Sequence, residues 1–283
     1  METCKRVILC ADDYGQKNSV SQAIVQLLMA KRLSAVSCMV TQSDWPEQWA
    51  ALQPFERQVD VGLHFNLTEG VALSEALHKG QGMLPLGRLL GRALLGRIDR
   101  DAVAAELNAQ LDAFSAATGR MPDFIDGHQH IQHFAGVREA LIQVYVKRLQ
   151  GTGCYIRCVD DPAARWGWEG PARFKRFVLQ WSGAGLFKRL LAQHAIPHNQ
   201  SFKGVYPFQK ATRYAAYFPR FLSAISEGGL ILCHPGTDAR DAADPIAAAR
   251  VEEFRFFSGP AFSDACQKAG VRISRFSEIY PAF

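Results

Sequence analysis

Short apolar runs alternate along this chain with longer stretches whose apolar positions recur every three or four residues. The short runs, which predict buried strands, are Val7–Ala11, Ala35–Thr41, Val59–Phe65, Asp123–Gly127, Cys154–Val159, Leu230–Cys233 and Val271–Phe276. The longer stretches predict helices. Asn18 suits a helix cap and precedes Val20, Ile24, Leu27 and Leu28 at helical spacing. In residues 84–98, Leu86, Leu90, Ala93, Leu94 and Ile98 share one face, with Arg88 and Arg92 opposite. Asp101 opens a stretch carrying Val103, Leu107, Leu111 and Phe114, which Gly119 ends, with Pro122 just beyond. Residues 136–149, 214–225 and 263–268 also read as helical. Residues 160–210, rich in Trp, Gly and Pro, show no period.

Strands alternating with helices predict a mostly parallel sheet with the helices outside it. The length, 283 residues, favours closing that sheet into a barrel. The predicted fold is therefore α/β: a distorted, TIM-like (β/α) barrel of mostly parallel strands with outer helices. With no repeat and no linker, residues 1–283 read as one domain, with 160–210 as a substrate-facing insertion.

Composition removes several functions. The net charge is +5 and no run of five basic residues occurs, so nucleic acid is not an expected partner. The basic and aromatic stretch 173–190 reads as a solvated helix face, or as a surface that touches a lipid-bearing substrate. Seven scattered cysteines with no CxxC point to reduced thiols and a cytoplasmic location. The run Val7–Ala11 is too short for a secretory signal, and no apolar stretch is long enough to span a membrane. There is no GxSxG, P-loop or GxGxxG.

The chemistry-bearing residues fall where strands end. The first strand runs into Asp12-Asp13, the third into His64, the fourth into Asp126, His128 and His130, and the strand at 230 into His234. Each taken singly also fits a turn, a cap or a satisfied core histidine. Jointly they bring Asp and His from four strands to the C-terminal edge, where parallel barrels build their sites. His128, His130 and His133 form a local trio that also suits a metal. His78, His194 and His198 read as surface. One carboxylate with two imidazoles makes an open site for a divalent ion, a second carboxylate takes a proton, and a further histidine returns one.

The segments ADDYG at 11–15, GLHFNLTEG at 62–70, DGHQHIQHF at 126–134 and LCHPG at 232–236 together resemble the YdjC-like carbohydrate deacetylases, which include chitooligosaccharide deacetylase. The resemblance covers nearly the whole chain. It implies a hydrolase that removes an N-acetyl group from an amino sugar, on an oligosaccharide or a glycolipid, and releases acetate. It implies one divalent metal, with Mg²⁺ or Zn²⁺ foremost and Mn²⁺ or Co²⁺ as alternatives. By position it makes Asp13, His64 and His128 the metal ligands, Asp12 the general base and His234 the general acid. Arg157 then orients the base or the substrate, His130 lies behind the ligands or faces substrate, and Asp126 steers a histidine. Homodimers occur in that family. Trp166, Trp168 and Trp181 in the long 160–210 segment suit sugar stacking or loop packing. Two other functions fit parts of the pattern: a sugar- or metal-binding protein without turnover, and a metal-dependent phosphoesterase.

Overall fold

A computed structural model describes residues 4–160 and 180–281. Eight strands form one sheet: β1 (Lys5–Tyr14), β2 (Ala35–Cys38), β3 (Asp60–Phe65), β4 (Phe124–Gly127), β5 (Tyr155–Ile156), β6 (Phe202–Lys203), β7 (Leu230–Cys233) and β8 (Val271–Ile273). Seven of them run in the order β5-β4-β3-β2-β1-β7-β6, and β8 pairs with the first residues of β1. Every pairing is parallel. Between the open edges β5 and β6, an isolated parallel bridge pairs Ile156 with His198, in the segment just before β6. Asn199 supports it, accepting from the Cys158 N–H at 2.8 Å and donating to the Cys158 carbonyl at 2.9 Å. The result is the distorted α/β barrel expected from the sequence.

The strand period of two divides the residues between barrel interior and helical shell. Along β1, Ile8 and Cys10 join an inner cluster with Phe124, Tyr155, Phe202 and Leu230, while Val7, Leu9 and Ala11 pack outward under the helices. On β3 the inward positions are Asp60, Gly62 and His64. Gly62 is required by close approach, since a Cβ there would lie 2.4 Å from the Phe124 ring. Below it, Phe124 stacks on Tyr155 at 5.0 Å and Tyr155 on Phe276 at 4.0 Å, which fills the barrel floor.

Several boundaries differ from the sequence expectation. β1 does not stop at Ala11 but runs through the acid pair to Tyr14, with its register to β2 shifting between Ala11 and Tyr14. β2 ends at Cys38, β5 at Ile156 and β8 at Ile273, because neighbouring strands on the curved sheet pair only briefly. The helix Asn18–Met29 is capped by Lys17 without a side-chain bond, and Asn18 instead accepts from Gln48 Nε2 at 2.8 Å. The cap of the helix Arg100–Thr118 is Asp99, not Asp101, and Gly119 ends it with φ 73° as expected. The helices Trp45–Leu52, Glu75–Lys79 and Ala247–Ser258 were not legible in the periodicity. Residues 160–210 are not wholly irregular, since they contain the helix Gly185–Gln193 and β6. Trp166, Trp168 and residues 173–179 lie outside the described residues. Among those described, no helix is long and apolar enough to cross a membrane.

Asp60 gives the barrel floor a pH dependence. Its Oδ2 accepts the Phe276 N–H at 2.8 Å, and burial pushes its carboxyl up to about 7. Between pH 4 and 7 the folded protein holds a proton that the unfolded chain has released, so this group's contribution to stability falls as pH rises. Asp60→Asn keeps an acceptor for Phe276 and removes the charge. It should raise stability at pH 8 by roughly 2–4 kcal/mol, at about 1.4 kcal/mol per pKa unit, and leave it nearly unchanged at pH 4. Denaturant unfolding at the two pH values checks this.

Candidate metal centre and active site

The acid pair sits on a kink in β1. Asp13 has φ 68°, in the left-handed region that few side chains other than Asn and Asp tolerate. The kink sends the two carboxylates to different partners. Two more left-handed residues, Gln129 (φ 56°) and His130 (φ 62°), turn the chain just after β4. Strained backbone is therefore concentrated where β1 and β4 deliver their polar side chains.

Asp13, His64 and His128 meet, all buried. Asp13 Oδ1 lies 3.2 Å from His64 Nε2 and 3.0 Å from His128 Nδ1, and the two ring nitrogens are 3.3 Å apart. His64 Nδ1–H donates to Asp126 Oδ1 at 2.6 Å, and the Ser37 hydroxyl donates to the same oxygen at 2.5 Å. That fixes the orientation of the His64 ring and turns Nε2 toward Asp13. His128 Nε2 lies 3.0 Å from Glu69 Oε1, at ion-pair distance but outside hydrogen-bond geometry, while its Nδ1 bonds Asp13. One carboxylate oxygen and two ring nitrogens thus converge, a donor set that fits a divalent cation. The local field agrees. Burial pushes His64 down, but the carboxylates of Asp126, Asp13 and Asp12 together outweigh it and lift the ring to about 10, so positive charge is favoured here. For Asp13, burial raises the carboxyl, while Arg250 and the two histidines hold it well below the usual range. Arg250 Nη2 donates to Asp13 Oδ2 at 2.7 Å, leaving Oδ1 to face the two ring nitrogens.

Asp12 points to the other side. Arg157, fully buried, grips it through Nη1–Oδ2 at 2.7 Å and Nη2–Oδ1 at 2.5 Å. The same Nη2 reaches Asp126 Oδ2 at 2.6 Å and Cys10 Sγ at 3.0 Å. Cys10, Asp12 and Asp126 also lie within metal-binding reach of one another, but the guanidinium already fills the space between them. His234 Nε2 is 4.0 Å from Asp12 Oδ2, and its ring stands edge-on to Phe208. Burial pushes His234 down to about 4, against the pull of Asp13 and Asp12. Its backbone N–H donates to Glu253 Oε2 at 2.6 Å, and Glu253 also accepts from the Tyr206 hydroxyl.

The structure therefore brings together Asp12, Asp13, His64, Asp126, His128, Arg157 and His234. His130 borders the group, edge-on to Phe202 and in the field of Arg157, Asp12 and His234. The histidine trio is corrected. The left-handed pair turns His133 away to Ser182 at 2.7 Å, and only His128 joins the acid. His198 is not a surface residue but half-buried in the barrel-closing bridge. Glu69, Arg250, Glu253 and Ser37 were missed. Glu69 stood inside the quoted GLHFNLTEG segment, whereas Arg250 and Glu253 lie on a helix that the periodicity did not reveal.

Comparison with known proteins places nearly the whole chain in a family. The YdjC-like protein family model matches residues 6–268. The human carbohydrate deacetylase is 27% identical, with 97% of this chain and 91% of that protein covered. The chitooligosaccharide deacetylase of Yersinia enterocolitica is 22% identical over 97% of this chain and 99% of its own. A crystal structure of an Enterococcus faecalis V583 protein, proposed to cleave cellobiose-phosphate, shares the fold with a TM-score of 0.71 at 15% identity, covering 97% of this chain and 98% of that one. The four motifs, the barrel edge on which they meet and the whole-length match have one explanation: this chain belongs to the YdjC-like protein family.

Proposed function

We propose that this protein is a carbohydrate N-deacetylase that hydrolyses the amide of an N-acetylated amino sugar and releases acetate. The observation that carries this reading is the convergence of Asp13 Oδ1, His64 Nε2 and His128 Nδ1 beside a separate pair, Asp12 and His234, whose side chains lie 4.0 Å apart. Relatives named carbohydrate deacetylase and chitooligosaccharide deacetylase support it.

Asp13, His64 and His128 are the residues that would hold a divalent ion, and that ion supplies an activated water and polarises the amide carbonyl when bound. Two nitrogens and one carboxylate suit Zn²⁺, and the same set accepts Mg²⁺, Mn²⁺ or Co²⁺. Asp12 is the general base. Arg157 holds both its oxygens, which fixes the direction in which it takes the proton of the attacking water. His234 is the general acid. Neutral at rest because of burial, it has a short path to that proton, since Asp12 Oδ2 lies 4.0 Å from Nε2. The proton then goes to the departing amine while the hydroxyl stays on the acetyl carbon. Asp126 and Arg157 hold this frame from below. His130 borders the substrate side, and the amino sugar is carried on an oligosaccharide or a glycolipid. The seven cysteines are free, six of them buried, which supports a reduced, cytoplasmic setting.

Chelation with EDTA should abolish acetate release from N-acetylglucosamine oligomers, and added Zn²⁺ or Mg²⁺ should restore it. Activity that survives complete metal removal refutes the mechanism.

The roles of the two adjacent acids separate by metal content. Asp12→Asn should retain the metal and lose about 10²–10⁴-fold in kcat, while His64→Ala should lose the metal itself. His234→Ala should behave like Asp12→Asn. Elemental analysis of the purified variants beside their kinetics decides between these outcomes.

A further inference from the structure

A closed ring of polar contacts runs around the outside of the Asp13–His128 pair. Arg250 Nη2 donates to Asp13 Oδ2 at 2.7 Å and to Gln16 Oε1 at 3.0 Å. Gln16 Nε2 donates to Glu69 Oε2 at 2.9 Å. Glu69 Oε1 lies 3.0 Å from His128 Nε2, and His128 Nδ1 returns to Asp13 Oδ1 at 3.0 Å. The ring joins residues from β1, the turn after it, the loop after β3, the turn after β4 and the helix Ala247–Ser258. We propose that Glu69 is the positioning residue for His128: its Oε1, now at ion-pair distance but off the hydrogen-bond line of Nε2, takes the Nε2 proton when a cation occupies Nδ1 and so presents the Nδ1 lone pair to that cation. This rests on the reading above, in which Asp13, His64 and His128 hold the metal.

A neutral imidazole has one lone pair on a ring nitrogen, and the partner of the other nitrogen selects which. Asp126 does this for His64 at Nδ1. On His128 the task falls to the opposite nitrogen and a different carboxylate. Glu69 is not a loose surface acid, because its backbone is pinned. Asn66 Oδ1 accepts from the N–H groups of Thr68 and Glu69 at 3.0 and 3.1 Å, and Asn66 Nδ2 donates to the Glu69 carbonyl at 2.7 Å. Gln110 in turn holds the backbone of Asn66 from both sides. The Glu69 side chain is 40% exposed, so its value lies in direction and proton placement rather than in Coulomb attraction through solvent.

The test is zinc affinity, measured by competition with a chromophoric chelator. Glu69→Ala should bind Zn²⁺ about 10–100-fold more weakly than the native protein, the usual cost of losing a carboxylate behind a ligating histidine. Glu69→Gln, whose Oε1 still accepts the Nε2 proton, should lose less. Glu75→Ala, on the same connection but away from the site, should bind normally. In ¹⁵N-histidine NMR of the zinc form, His128 should show zinc at Nδ1 and a proton at Nε2, and Glu69→Ala should disturb that pattern. Zinc binding by Glu69→Ala within twofold of native, or ligation through Nε2, overturns the proposal. His64→Ala separates the two levels. If it loses zinc while Glu69→Ala does not, the role of Glu69 fails alone. If it too binds zinc normally, the metal-site reading fails.

Discussion

Arg157 is the contact on which the rest of the site depends. Three carboxylates, Asp12, Asp13 and Asp126, are buried within one end of the barrel. Uncompensated, such a group would take up protons or force the barrel open, because charge is costly to bury and like charges repel. The Arg157 guanidinium lies between Asp12 and Asp126, and Arg250 answers Asp13 from outside. Arg250 is shared, since its Nε also pairs with Asp244 at 2.6 Å, and the ring nitrogens of His64 and His128 converge on the remaining oxygen of Asp13. Removing one member of such a buried set costs about 3–5 kcal/mol, since its partner is left charged and unpaired. Stability and the geometry of the candidate site therefore draw on the same residues, and the barrel cannot relax one without changing the other.

Much of this was legible in the sequence, and for a physical reason. Parallel strands deliver their last inward residue to one edge, so polar residues ending apolar runs converge even when they are far apart in the chain. Asp12, Asp13, His64, Asp126, His128 and His234 were found this way. β3 shows the rule along one strand. Asp60, Gly62 and His64 alternate with Val61, Leu63 and Phe65, so the sequence DVGLHF already separates an inward set from an outward one. The acid pair was legible as a site but not as geometry, because nothing in ADDYG announces that the strand continues and that the kink falls on Asp13.

What stayed hidden depends on pairings that leave no local pattern. Arg250 meets Asp13 across 237 positions of chain. Its helix, Ala247–Ser258, buries Arg250 and Glu253 on the face where periodicity analysis expects apolar residues. A polar residue facing inward lowers the very signal by which helices are recognised. The histidine trio failed for the converse reason. Sequence proximity suggested joint ligation, yet after the left-handed turn at Gln129 and His130 the two rings have different partners, His128 bonding Asp13 and His133 bonding Ser182.

The same alternation links the two ends of the barrel. Asp60 and His64 are inward residues of one strand, four positions apart, with Gly62 between them yielding its space to Phe124. At the floor, burial leaves Asp60 near its titration point because its fixed polar partners are few: the Phe276 amide and, at 3.5 Å, the Tyr155 hydroxyl. At the edge, burial is just as complete, but Asp126 lies 2.6 Å from His64 Nδ1 and turns the balance toward positive charge. Burial alone does not make a site in this fold. It raises the stakes of every nearby charge, and a site forms where the strand ends bring several opposite charges to meet.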